Sequence, residues 1–145
     1  MKILLSEGCP IFREGMKFVL KNAGYKVTCA ESREQFCHLF SCDYDLVIMD
    51  LDFLKTKAIE LAEHYYAWST PYNKTVKIIA SYKDSPEYYV AHLFDAGLRK
   101  PFTKEKLLHA IKKEYTHVKR FNDKTNSRST GNVYYQSMVW HKKNK

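Results

Sequence analysis

Short apolar runs alternate with amphipathic stretches along the first 115 residues. Apolar or alternating runs typical of buried strands lie at 2–5, 25–30, 46–49 and 76–80. Stretches with helical periodicity or helical propensity lie at 11–22, 55–66, 86–96 and 104–115, and a shorter helix opens at the capping residue Ser32. Strands alternating with helices of about ten residues predict right-handed β-α-β units, and hence a parallel sheet covered by helices on both faces.

The fifth strand of this sheet has little room in the sequence. Only Leu98 and Arg99 separate Ala96–Gly97, the predicted end of a helix, from Lys100–Pro101. Because a strand is usually about five residues long, the sequence predicts a fifth strand that is shortened or missing.

The character of the chain changes after residue 115. Residues 119–131 are polar and charged, which is typical of a linker or a long loop, whereas residues 132–140 favour a strand again. We therefore expect one folded domain over 1–115 and a basic linker or tail over 116–145, which is also long enough to begin a truncated output domain.

Composition excludes several classes of protein. The chain has 145 residues, of which 45% are apolar, enough for the core of one domain. No apolar run approaches a membrane span, and the apolar start is too short for a signal peptide, so a cytoplasmic location is expected. The four cysteines form no C-x-x-C pair, the spacing typical of zinc and redox motifs. The net charge of +8, much of it after residue 98, fits a solvated lysine-rich helix, while contact of the tail with nucleic acid stays open.

Polar residues follow the predicted strands at the edge where parallel sheets collect ligands. Glu7 follows the first strand, Asp50 and Asp52 the third, Ser81 the fourth, and Lys100 comes after the fourth helix. Acids can hold Mg²⁺ through oxygen, and a carboxylate such as Asp50 can act as the nucleophile toward phosphorus. A hydroxyl and an ammonium can hold phosphoryl oxygens. The set therefore predicts a phosphate site.

Four ordered motifs resemble those of response-regulator receiver domains, which belong to bacterial two-component signalling. Residues 7–16 read EGCPIFREGM and resemble the opening DDHPLFREGL, and residues 45–52 read DLVIMDLD and resemble the strand DLVLLDL. Residues 78–81, IIAS, match the strand that ends in Thr or Ser. DAG at 95–97 and KPF at 100–102 match AGA…KPF. The resemblance extends from residue 1 to about 115.

The resemblance implies a flavodoxin-like, doubly wound parallel sheet of order 2-1-3-4-5. It places Asp50 at the phospho-acceptor position, supported by Ser81 and Lys100, and it points to Glu7, Asp50 and Asp52 as weak metal ligands. Such a domain is not an enzyme beyond self-phosphorylation on Asp50 from a phosphodonor.

The chain also departs from the family pattern and is atypical. Gly8 stands where the family has a second acid that binds Mg²⁺ directly, so any Mg²⁺ site is expected to be weakened. Phe53 and the residues after it replace the usual M-P-x-x-x-G loop, and the fifth-strand aromatic of the family has no evident counterpart.

The implied function is phosphorelay signalling that controls an output, transcription in many family members. Expected partners are a sensor kinase or another signalling protein and a second copy of the chain. The candidate dimer face lies on the fourth and fifth helices and carries His92, Phe94, Arg99 and Lys104. DNA binding is expected only through an output domain missing from this chain.

Two alternatives stay open. A pseudo-receiver would keep the fold and act as a phosphorylation-independent interaction module. A haloacid-dehalogenase-type phosphatase would use Asp50 as nucleophile and Asp52 as general acid/base. However, its motif normally opens the domain, and no paired late acid follows Lys100.

Overall fold

The apolar runs of the sequence form a parallel sheet in the computed structural model of the protein, which describes residues 1–40, 43–69, 76–87 and 91–125. The strands are β1 (Lys2–Ser6), β2 (Lys26–Ala30), β3 (Leu46–Asp50), β4 (Lys77–Tyr82) and β5 (Ala96–Arg99). Their order across the sheet is β2-β1-β3-β4-β5, and every pairing is parallel. This confirms the predicted flavodoxin-like topology.

Helices connect the strands and begin at recognisable signals. They are α1 (Pro10–Asn22), α2 (Arg33–Leu39), α3 (Leu51–Leu54), α4 (Thr56–Ser69) and α5 (Lys104–Thr125). Pro10 supplies the preset φ that favours a first helical position. Ser32 caps α2, because its Oγ accepts a hydrogen bond from the Gln35 N–H at 3.0 Å. Gly24, with φ of +91°, follows the end of α1 in a conformation that favours glycine.

The sheet divides the apolar core into two clusters, one on each face. Alternation along β1 sends Ile3 and Leu5 to one face and Leu4 to the other. The face of Ile3 and Leu5 also receives Met16 of α1 and Ile111 of α5. The opposite face receives α2, α3 and α4 through buried side chains, namely Phe36, Leu54, Ala58 and Ala62. Helices therefore cover both faces, as the sequence predicted.

The fifth strand is present and short. It spans four residues, and only Leu98 of them is buried. Its place is set by pairing with β4, in which Ile79 lies opposite Ala96. The predicted helix over 86–96 is therefore too long, because residues 86–87 and 92–95 are not helical and backbone pairing takes Ala96 into the strand. Residues 88–90 of that helix lie outside the described residues.

The last helix extends further than the sequence indicated. It ends at Thr125 rather than near residue 115, so the linker predicted from residue 119 is wrong as far as 125. Residues 116–125 contain neither Gly nor Pro, and a helix already nucleated by its first turns continues through such a stretch. The strand-like residues 132–140 lie outside the described residues. None of the helices within the described ranges is both long and apolar enough to cross a bilayer.

Candidate functional site

The predicted polar residues meet at the carboxyl ends of β1, β3 and β4. One side chain that connects β1 and β3 was not predicted. Buried Ser6 accepts a hydrogen bond from the Asp50 N–H at 2.9 Å and donates one to the Ile48 carbonyl at 3.1 Å. Ser6 therefore fixes the backbone at Asp50. The only signal for it in the sequence is a hydroxyl that ends an otherwise apolar run.

Asp50 is buried, and both oxygens of its carboxylate accept hydrogen bonds. Its carboxylate, in a residue 2% exposed, accepts hydrogen bonds from three backbone N–H groups. Oδ1 accepts from Asp52 at 3.0 Å and from Phe53 at 3.3 Å, and Oδ2 accepts from Gly8 at 3.0 Å. The two contacts of Oδ1 make Asp50 the N-cap of the short helix α3. Asp50 thus has a structural role in addition to its position at a strand end.

Lys100 brings a positive charge into contact with all three acids. Its Nζ lies 2.9 Å from Asp50 Oδ1, 3.2 Å from Glu7 Oε2 and 3.6 Å from Asp52 Oδ2. Burial by itself lowers the pKa of Lys100. Hydrogen bonding and charge from Asp50, and then the charge of Glu7, outweigh burial, so the pKa of Lys100 is raised. The ammonium is therefore charged at any neutral pH.

Ser81 contributes a buried hydroxyl beside Asp50. It pairs in register with Asp50 on the adjacent strand and is fully buried. Its Oγ has no hydrogen-bond partner within the described part of the chain. An unsatisfied buried polar group costs about 1–3 kcal/mol, which marks this hydroxyl as a group available to a ligand.

The three predicted metal ligands converge on Lys100. Glu7 is 2% exposed and its Oε1 accepts from the Cys9 N–H at 2.9 Å, while Asp52 Oδ2 accepts from the Lys83 N–H at 3.0 Å. Across residues 1–40, 43–69, 76–87 and 91–125, no three acidic, histidine or cysteine side chains are placed to hold a metal ion. The present arrangement therefore does not fit a divalent ion, and the weakened Mg²⁺ site stays a prediction.

Two aromatic side chains, Phe53 and Tyr82, pack closely against Gly8 and Gly97. A Cβ placed on Gly8 would lie 3.1 Å from Cδ2 of Phe53, and a Cβ placed on Gly97 would lie 2.9 Å from the hydroxyl of Tyr82. Tyr82 of β4 thus places an aromatic ring over β5, the strand predicted to lack one. Neither contact is visible in the sequence, because the paired residues lie in different elements.

An open cleft of about 740 Å³ lies over the acids. It is lined by Glu7, Gly8, Cys9, Phe12, Asp50, Asp52, Phe53, Lys83, Lys100 and Pro101. A small phosphorylated molecule has room in a cleft of this size.

The residues of the predicted dimer face differ in exposure. Arg99 on β5 and Lys104 at the start of α5 are exposed, and His92 is half-buried. Phe94 packs against the core on the face of α2, α3 and α4. The dimer face stays a prediction.

Solved structures with the same fold are receiver domains. The chain is 25% identical to a CheY-like response regulator receiver domain from Methylobacillus flagellatus over 78% of this chain and 97% of that one, with a TM-score of 0.67. It is 28% identical to the response regulator TrrA from Thermotoga maritima, solved with Mg²⁺ and BeF, over 77% and 96% of the two chains, with a TM-score of 0.64.

A third structure, the receiver domain of a sensor histidine kinase from Pseudomonas aeruginosa, was solved with magnesium in its active-site cleft. It is 21% identical over 77% of this chain and 94% of that one, with a TM-score of 0.64. No protein-family model and no curated protein matches the sequence. From the strand order, the residues at the strand ends and these structures, we conclude that the chain contains a receiver domain of the two-component response-regulator kind.

Proposed function

We propose that this receiver domain accepts a phosphoryl group on Asp50, from a sensor kinase or a small phosphodonor, and thereby controls an output. One observation carries the proposal: the buried Asp50 carboxylate lies 2.9 Å from the Lys100 ammonium, and the adjacent strand presents the unsatisfied hydroxyl of Ser81. A nucleophile, a fixed positive charge and a free donor are what an aspartyl phosphate requires.

The chemistry is a single displacement at phosphorus. Oδ2 of Asp50 has one backbone donor, whereas Oδ1 has two donors and the ammonium, so Oδ2 is the more available nucleophile. Its new bond to phosphorus forms as the bond to the donor's leaving group breaks. The electron pair of that bond leaves with the group, which takes a proton from solvent. Lys100 and Ser81 then hold the phosphoryl oxygens.

A bound Mg²⁺, as in the TrrA structure, would neutralise charge on the transferring phosphoryl group. In this chain Glu7, Asp50 and Asp52 would supply its carboxylate ligands. The ligand set is incomplete in this chain, because Gly8 contributes no carboxylate, so any binding of Mg²⁺ would be weak.

The test is incubation with acetyl phosphate and Mg²⁺, followed by intact mass spectrometry. We expect one phosphoryl adduct in the unmodified chain and in Asp84→Asn, whose carboxylate is exposed. We expect none in Asp50→Ala. An adduct that persists in Asp50→Ala would contradict the proposal.

A second candidate is the phosphorylation-independent pseudo-receiver. The observations that favour it are the missing acid at Gly8 and the full set of contacts around Asp50. If the folded chain takes up no phosphoryl group under the conditions above, this candidate replaces the first.

The phosphatase alternative has less support. The motif of these phosphatases normally opens the domain, whereas β1, α1, β2 and α2 precede Asp50 in this chain. Steady turnover of a phosphate monoester that is lost in Asp50→Asn would favour the phosphatase alternative over the receiver function.

The proposal includes the output that the receiver domain controls. We expect this output to be triggered by dimerisation through the face that carries Arg99 and Lys104, or by binding of another signalling protein. Transcriptional control and DNA binding would require an output domain attached to this one. Size-exclusion chromatography with light scattering, before and after phosphodonor treatment, tests the dimer.

A further inference from the structure

We propose that the Lys100 ammonium is the resident cation of this cleft, that Phe53 closes the position beside Gly8, and that the site therefore works without Mg²⁺. The inference deepens the proposed function and rests on it for the role of Asp50. It follows from three properties of residues present in the chain.

The first property is that only one position of the Asp50 carboxylate is left open. A carboxylate offers about four acceptor positions. Oδ1 accepts from the N–H groups of Asp52 and Phe53 and lies 2.9 Å from Lys100 Nζ, whereas Oδ2 accepts only from the Gly8 N–H. Unless one of these contacts broke, a metal ion could bind Asp50 only through Oδ2, on the side of Gly8.

The second property is the position of the positive charge. Lys100 contacts one oxygen of each acid, within 3.6 Å, in a cleft where Glu7 and Asp50 are each 2% exposed. A divalent ion bound to these oxygens would lie next to the ammonium, and the two positive charges would repel each other strongly in a poorly solvated site. Metal binding would therefore require Lys100 to leave.

The third property is steric. Cδ2, Cβ and Cγ of Phe53 lie 3.1, 3.3 and 3.3 Å from the place of a Cβ on Gly8. Restoring an acid at this position would require the ring to move by a few tenths of an ångström or more. An acid at position 8 and the ring of Phe53 would therefore compete for the same space.

Titration of the unmodified chain with MgCl₂ is the decisive experiment. We expect no saturable heat, and no shift of the Glu7, Gly8 and Asp50 amide resonances, at about 10 mM Mg²⁺, above the roughly millimolar constants of weak calcium sites in proteins. Saturable binding with shifts at these amides would overturn the proposal, whatever any variant does.

Variants show which feature excludes the metal. The double variant Gly8→Asp, Phe53→Ala should bind Mg²⁺ at least about tenfold more tightly than Gly8→Asp alone, a difference of about 1.4 kcal/mol. Gly15→Asp is the matched control, because it adds the same charge on α1 where no atom lies within 4 Å. Equal affinities of the double and single variants would show that Phe53 does not close the site.

The outcomes separate this inference from the proposed function. Mg²⁺ binding by the unmodified chain, together with a phosphoryl adduct on Asp50, contradicts only the inference. Absence of both binding and adduct, with an adduct gained in the Gly8→Asp, Phe53→Ala variant, would agree with metal exclusion but would contradict both the inference that the site works without Mg²⁺ and the proposed phosphorylation of the natural chain.

Discussion

The two sides of the cleft differ in how completely they carry the residues typical of receiver domains. On the acceptor side, Asp50, Ser81 and Lys100 stand at the ends of β3, β4 and β5, with Ser81 in register opposite Asp50 and Lys100 Nζ 2.9 Å from Asp50 Oδ1. On the acid side, Gly8 supplies no carboxylate and Phe53 packs against it. The groups that would hold a phosphoryl group are present, whereas the metal ligands of the family are incomplete.

This difference indicates which group balances the charge of the cleft. The buried carboxylates of Glu7 and Asp50 would repel each other without a cation, and Lys100 contacts both of them and the exposed Asp52. A residue that is expected to hold the product of phosphorylation thus also stabilises the unphosphorylated fold. That double role can be tested on each side of the cleft.

Lys100→Met should have the largest effect. Removing the ammonium leaves Glu7 and Asp50 buried without their counter-charge, and breaking a buried pair in this way costs about 3–5 kcal/mol. Urea denaturation measures the free energy of unfolding. Lys104→Met, at an exposed position, should change it by less than about 0.5 kcal/mol. Similar values for the two variants would show that Lys100 is not the cation of the cleft.

The serines of β1 and β4 should respond in opposite directions. Ser6→Ala removes a hydroxyl that makes two hydrogen bonds and should destabilise the fold by about 1–3 kcal/mol. Ser81→Ala removes a buried hydroxyl that has no hydrogen-bond partner among the described residues, so stability should stay level or rise by about 1 kcal/mol. Thermal unfolding of the two variants makes the comparison. A loss in Ser81→Ala as large as that in Ser6→Ala would assign Ser81 to the fold rather than to a ligand.

The pH dependence should be the smallest effect under ordinary conditions. Because the pKa of Lys100 is raised in the folded chain, its contribution is fully present below the unfolded value near 10.5 and is lost only as pH rises through the higher folded value. The difference in unfolding free energy between the unmodified chain and Lys100→Met should therefore be constant from about pH 7 to 9, and it should shrink above 10.5. A difference that already falls between pH 7 and 9 would assign the effect to another group.

The sequence was sufficient for the fold because its signals are local. Apolar runs such as 46–49 mark the strands, and strands that alternate with helices leave few topologies. β5 was harder to predict, since its place depends on pairing with β4 rather than on an apolar run of its own. The length of α5 was missed because polar residues without Gly or Pro suit a loop and a helix equally well.

The site could be predicted as a set of residues but not as an arrangement. Asp50, Ser81 and Lys100 were visible as polar residues at strand ends. The capping of α3 by Asp50 and the contact of Phe53 with Gly8 depend on elements that meet only in the fold. The contacts of Lys100 with three acids likewise arise only when three strand ends converge.

The most direct test is the yield of phosphoryl adduct on Asp50 with and without Mg²⁺. The unmodified chain is incubated with acetyl phosphate in MgCl₂ or in EDTA, and intact mass is recorded over time beside Asp50→Asn. If the acceptor side is intact and the acid side is closed to metal, the adduct should form in the unmodified chain but not in Asp50→Asn. It should form at the same rate in MgCl₂ and in EDTA. A rate that rises tenfold or more with Mg²⁺, or no adduct in either solution, would contradict this account of the cleft.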